Sequence, residues 1–181
     1  MRSVVLIFMF MSSFFLFAKD TELKFYRPFL HETPVEIIKK MAGECWQQSE
    51  RIKREDAWRC QAEEKVYDPC FINLQNPKEA LCPESPWSKH AALIHLTKTA
   101  DNSLHSALDM AETLPWAVEL TTGEKCQAID KGEVYDGLEI RYHCNNQTQL
   151  FGRVQRCKSE WSILQRTASG VTTGLMSKAW F

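Results

Sequence analysis

The residues with the most definite chemistry are seven cysteines: Cys45, Cys60, Cys70, Cys82, Cys126, Cys144 and Cys157. Their spacing is irregular. No CxxC or HxxxH pair offers zinc two ligands from one turn, so neither a metal nor a cofactor is expected. In an exported chain such thiols pair, and disulfides are the chemistry they point to. Seven is odd, and three bridges with one cysteine left over allow about 105 connectivities. Local pattern favours one of them. Cys126 and Cys144 lie in adjacent strand-like runs. Cys70 and Cys82 bracket a polar stretch. Cys45 ends a helix-like segment, and Cys60 lies in the next strand-like run. The favoured set is 45–60, 70–82 and 126–144, each stabilising by roughly 2–4 kcal/mol. Cys157 is then free, either packed as a small apolar group or bridging two copies into a disulfide-linked dimer.

Other reactive side chains form no comparable pattern. His31, His90, His95, His105 and His143 are scattered, and no GxSxG nucleophile elbow accompanies them. They read as surface or core-edge histidines. Glu119 sits mid-strand and is expected to face out, or else to pair with an arginine such as Arg141. Glu119 and Glu139 are a candidate glycosidase-like carboxylate pair, but nothing in the sequence sets their separation, and no residue is assigned a catalytic role. Six tryptophans are many for 181 residues. Most should be core rings beside disulfides. Trp87, in the polar stretch after Glu84-Ser85-Pro86, and Trp116 are the candidates for an aromatic binding platform. Asn146-Gln147-Thr148 fits the N-glycosylation sequon.

The elements that position these residues follow an apolar amino-terminal run. Val4 to Phe17, preceded by Arg2 and followed by Ala18, reads as a secretory signal peptide over 1–18. It is too short for a membrane span, and no second hydrophobic segment follows. The expected location is therefore periplasmic or extracellular, with no membrane attachment after cleavage. Loss of Arg2 takes the net charge from −1 to −2, a balance that does not suggest nucleic acid as a partner.

Residues 19–32 read as an extended arm, and 33–181 as a single disulfide-stabilised domain. Thr33-Pro34-Val35-Glu36 predicts a helix start with a capping box. Val35, Ile38, Met41 and Ala42 then fall on one helical face, ending near Cys45. Strands are expected at 57–61, 65–67, 91–96, 116–120, 125–129, 138–144, 149–152, 161–164 and 175–180. Asp68-Pro69 should stop one strand, and 73–89 should be a surface loop. The expected fold class is α+β, mainly β: an antiparallel meander or small barrel with an amino-terminal helix.

The stretches Glu44-Cys45-Trp46, Ala57-Trp58-Arg59-Cys60, Tyr67-Asp68-Pro69-Cys70-Phe71, Leu81-Cys82-Pro83 and Pro115-Trp116-Ala117-Val118-Glu119-Leu120 occur in that order. Gly123, Cys126, Tyr142, Cys144, Trp161 and Ala179-Trp180 follow. Together, over about residues 43–181, they resemble a family of small exported bacterial domains of uncharacterised activity. The resemblance implies class and compartment, and places six of the seven cysteines, Cys157 being the exception. It implies no catalytic residue.

The function expected from these features is non-catalytic binding by a secreted, host-directed bacterial protein. Its partner would be a protein or an envelope glycan. A small hydrolase using carboxylate or histidine chemistry is the first alternative. A protease inhibitor presenting the 73–89 stretch as a rigid loop is the second.

Overall fold

The computed structural model describes residues 20–30, 35–73, 75–130 and 132–181. The signal-like run at 1–18, His31, Thr33 and Pro34 lie outside them. The described residues contain no helix; they are all-β, built as two small barrels. A short strand β1 (Glu22–Lys24) is followed by the first barrel: β2 (Glu36–Gln48), β3 (Ala57–Ala62), β4 (Lys65–Asn73), β5 (Asn76–Pro83) and β6 (His90–Leu96). Each strand pairs antiparallel with the next, and β2 closes the ring by pairing parallel with β6. The remaining strands are β7 (Ala117–Leu120), β8 (Lys125–Ala128), β9 (Val134–Tyr135), β10 (Leu138–Cys144), β11 (Gln149–Gln155), β12 (Ser162–Thr167) and β13 (Gly170–Trp180). They form the second barrel in the order β13-β12-β11-β10-β8-β7, with β7 returning to β13. β9 forms a hairpin on β10, and β1 adds to β13 in parallel.

The expected amino-terminal helix is therefore corrected to a strand, and the class from α+β to all-β. Two features explain the reversal. Ile37 to Gly43 pair with Ala91 to Leu96, a partner about fifty residues away that a local period cannot reveal. Gly43 disfavours a helix interior, and in β2 it has a positive use. A Cβ there would lie 2.3 Å from the Gln61 carbonyl oxygen, so only glycine lets β3 cross this closely. Two further expectations change. Eight of the 17 residues in the 73–89 stretch form β5, a barrel strand, so the stretch is not one surface loop. Asp68-Pro69 does not stop β4: the strand runs through this cis peptide. The expected arm is a strand at Glu22–Lys24 and turns at 28–30, and it is tied down. Glu22 to Lys24 face Lys178 to Trp180 in register, and Tyr26 is buried.

The three disulfides join Cys45 to Cys60, Cys70 to Cys82 and Cys126 to Cys144, the pairs that local pattern favours. Cys45–Cys60 and Cys126–Cys144 bridge directly opposed residues of neighbouring strands, with Cα atoms 3.9 Å apart in both. Such close pairs are the non-hydrogen-bonded positions of an antiparallel ladder. The three bridges fit an oxidising location outside the cytoplasm. Among the described residues, no helix is long and apolar enough to cross a membrane.

The first barrel has its own core of Met41, Trp58, Ile72, Ala80, Ile94 and Leu96 around the cysteines. The larger core joins the barrels. Ile52, Ala57 and Phe71 from the first pack with Trp116, Val118, Tyr142, Leu150, Met176 and Phe181 of the second. Tyr26 inserts between Phe71 and Trp116, ring centroids 5.2 and 5.5 Å away, and burial pushes its hydroxyl pKa up to about 12. The two barrels thus share one apolar seam, which fixes the surfaces on either side of it.

Candidate functional site

An open cleft runs along that seam. Its larger part, about 560 Å³, is lined by Arg51, Ser85, Trp87, Lys125, His143 and Asn145, among others. A continuation of about 240 Å³ shares Arg51, Ala128 and Ile129 and reaches Glu50, Lys53, Glu139 and Arg141. The first barrel contributes the turn after β2 and the turn between β5 and β6. The second contributes the outer positions of β8 and β10. On these strands Cys126 and Tyr142 point inward and are buried, so their neighbours Lys125 and His143 point to solvent.

The cleft's charged groups are held in place rather than loose. Arg51 Nε donates to Asp130 Oδ1 at 3.1 Å. His143 Nε2 lies 3.0 Å from Glu133 Oε2. Arg141 pairs with Glu139 at 2.8 Å. Lys125 Nζ stands 5.6 Å from the centre of the Trp87 ring, within cation–π range. Trp87 also takes the edge of Trp180, centroid to centroid 5.0 Å. This ring is half-buried, with one part packed on the seam and another facing the cleft. Trp87 therefore lines the cleft with part of its ring. Trp116 is 2 % exposed and belongs to the core, so it cannot meet a ligand.

The structure does not bring the expected catalytic candidates together. Glu119 pairs with Lys178 at 3.2 Å, not with Arg141, and Glu139 pairs with Arg141. His90 and His95 lie beside Glu36 and Glu79 at the surface. His105 stacks on Trp58, centroids 4.1 Å apart. Asp101 accepts from the Ser103 amide, and this bond holds its pKa below the usual carboxylate value. Ser88 lines the cleft, but its hydroxyl donates to the His90 carbonyl at 2.6 Å. Cys157 is exposed, which overturns the reading of a packed thiol. Its neighbour Arg156 is spent on the carbonyls of Met110, Ala111 and Thr113, anchoring the long connection between the barrels.

Of the titratable groups shifted by burial, Tyr142 lines the continuation of the cleft. Tyr142 is pushed upward by full burial and donates its hydroxyl to the Pro115 carbonyl at 2.8 Å. Asp68 is raised chiefly by burial, against hydrogen bonds from Ser49 Oγ and the Glu50 amide that favour its charged form. Since the folded pKa lies above the unfolded one, ionised Asp68 costs stability at neutral pH. That cost is relieved as pH falls through the folded value. Ser49→Ala removes a donor to the carboxylate and is expected to raise the Asp68 pKa further. Carboxyl-carbon NMR titration of both proteins reads the shift, and a downward or absent shift contradicts it.

Two features escaped the sequence reading. Asp136-Gly137, both at positive φ, make the two-residue turn of the β9–β10 hairpin, and an Asp-Gly pair is a hairpin signal that was there to be read. The exposed arm residues Leu23, Phe25, Phe29 and Leu30 form an apolar surface next to a small hollow lined by Phe71 and Ile72; no periodic pattern marks it. Comparison of this chain with protein-family models, with curated proteins and with solved structures finds no match.

Proposed function

We propose that this is a secreted, non-catalytic binding protein whose inter-barrel cleft takes an acidic glycan. The observation that carries the reading is the cleft's lining: Arg51, Lys125 and His143 around the half-buried Trp87, with Ser85, Gln127 and Asn145 alongside. An aromatic ring beside hydrogen-bonding side chains suits a sugar's apolar face and its hydroxyls. In the cleft's larger part Arg51, Lys125 and His143 stand against one lining acid, Glu84; Asp130 and Glu133 balance Arg51 and His143, so Lys125 beside the Trp87 ring is the cation left to favour a negatively charged ligand there. The fixed ion pairs of Arg51 and His143 support recognition, since preorganised groups lose little freedom on binding. The three disulfides support a secreted setting.

The hydrolase alternative draws less support: of the groups shifted by burial, only Tyr142 lines the cleft, and its hydroxyl is occupied by Pro115.

The test is an array of acidic and neutral oligosaccharides, followed by calorimetry with the acidic ones retained. Lys125→Ala and Arg51→Ala are each expected to weaken binding about tenfold or more, the scale of one charge-assisted contact. Affinity should fall as salt rises. Retention of neutral sugars alone, or equal binding by both variants, overturns the assignment.

A further inference from the structure

The sulfurs of Cys60, Cys70 and Cys82 all lie within 4.8 Å of one another in the first barrel's core. They belong to two different disulfides, so the 45–60 and 70–82 bridges are stacked together. Three of the four residues are sealed: Cys60 and Cys70 are 0 % exposed and Cys82 is 4 %. Cys45 is the exception, half-buried on β2 between exposed Glu44 and exposed Trp46. One bridge thus has a partly exposed residue at one end, and its other end touches a bridge whose two residues are buried. While both bridges are intact these sulfurs carry no thiolate with which to hold a metal.

We infer that the two bridges form a two-step thiol–disulfide exchange site, entered by a low-molecular-weight thiol such as glutathione at Cys45. In the first step the incoming thiolate attacks Cys45 Sγ. A mixed disulfide forms on Cys45, the Cys45–Cys60 bond breaks, and its electron pair leaves on Cys60. Burial in apolar surroundings disfavours that thiolate, and the sulfurs it faces are those of the second bridge. In the second step Cys60 attacks Cys70. The Cys60–Cys70 bond forms, the Cys70–Cys82 bond breaks, and Cys82 takes the electron pair and then a proton. Cys70 is the target because β3 and β4 are neighbouring strands, with Trp58 opposite Cys70 and Cys60 opposite Tyr67, whereas β3 and β5 are not adjacent. A second thiol then removes the adduct from Cys45 as the small-molecule disulfide. The overall change is two small thiols oxidised and one protein bridge reduced. Cys126–Cys144 lies in the other barrel and takes no part.

The experiment uses the full chain with exposed Cys157 first blocked by alkylation. Folded protein is treated with glutathione, quenched in acid, alkylated and mapped by tryptic mass spectrometry. Lys65 and Lys78 separate Cys60, Cys70 and Cys82 into different peptides. The expected products are a glutathione adduct on Cys45, a Cys60–Cys70 linked peptide and alkylated Cys82, with 126–144 intact and near-ultraviolet circular dichroism unchanged. In Cys60→Ser, opening of the 70–82 bridge should slow by about tenfold or more, because an intramolecular attack is lost. The inference is overturned if Cys45 takes the adduct while 70–82 stays closed and Cys60 is alkylated. It is equally overturned if Cys60–Cys70 appears only once the native signal is gone. The wild-type map decides the matter even if the variant does not fold.

Discussion

Full reduction of the three disulfides is expected to unfold the protein at ordinary temperature. The bridges close short segments, with sequence separations of 15, 12 and 18 residues. At about 2–4 kcal/mol each they supply roughly 6–12 kcal/mol between them. That is comparable with the entire stability of an ordinary domain, about 5–15 kcal/mol. The first barrel depends on them most. Its own buried core is small, and β2 closes on a parallel partner far away in sequence. Near-ultraviolet circular dichroism and thermal melting, with and without dithiothreitol, measure the effect. Loss of the native signal in the reduced sample is the expected result. A reduced chain that keeps its signal and melts only a few degrees lower would show that packing alone suffices.

Replacing Arg54 with methionine is expected to cost about 3 kcal/mol or more, the scale for removing one partner of a buried ion pair. Arg54 is 5 % exposed. Its guanidinium grips Asp56 through Nε and Nη2, donates to the main-chain oxygen of Phe181 at 2.9 Å, and lies 4.6 Å from the centre of the Phe71 ring. One side chain therefore ties the loop after β2 to the end of β13, across the seam between the barrels. Methionine keeps most of the apolar contact and strands the Asp56 carboxylate. Adding Asp56→Asn should recover part of the loss, because it removes the unpaired charge. Urea unfolding of the wild type, Arg54→Met and the double variant measures these differences. A single variant within about 0.5 kcal/mol of wild type, the range of ordinary surface changes, would contradict this role.

Trp87 and Trp116 illustrate how far side-chain type carries. Both are tryptophans near strand ends, and composition treats them alike. Trp116 is buried because β7 closes against β13 and Tyr26 arrives from the arm. Trp87 is shared between seam and cleft because Trp180 covers one part of it. Neither fate is written near the residue itself. The carboxylates show the same limit. The pattern around Glu119 predicts that it faces out or meets an arginine such as Arg141; Lys178 on β13 pairs with it instead.

The sequence by itself determined the sulfur chemistry and most strands of the second barrel. Hairpins pair neighbours, so alternating residues, turn residues and cysteine spacing all report on contacts a few residues away. Only the tertiary structure decided that Glu36–Gln48 is a strand, that there are two barrels, and that a cleft lies between them. Those outcomes rest on pairings such as β2 with β6 and β7 with β13, between segments more than fifty residues apart. Local propensity has no access to such contacts, and the free energy of closing a sheet on a distant partner outweighs a helical period.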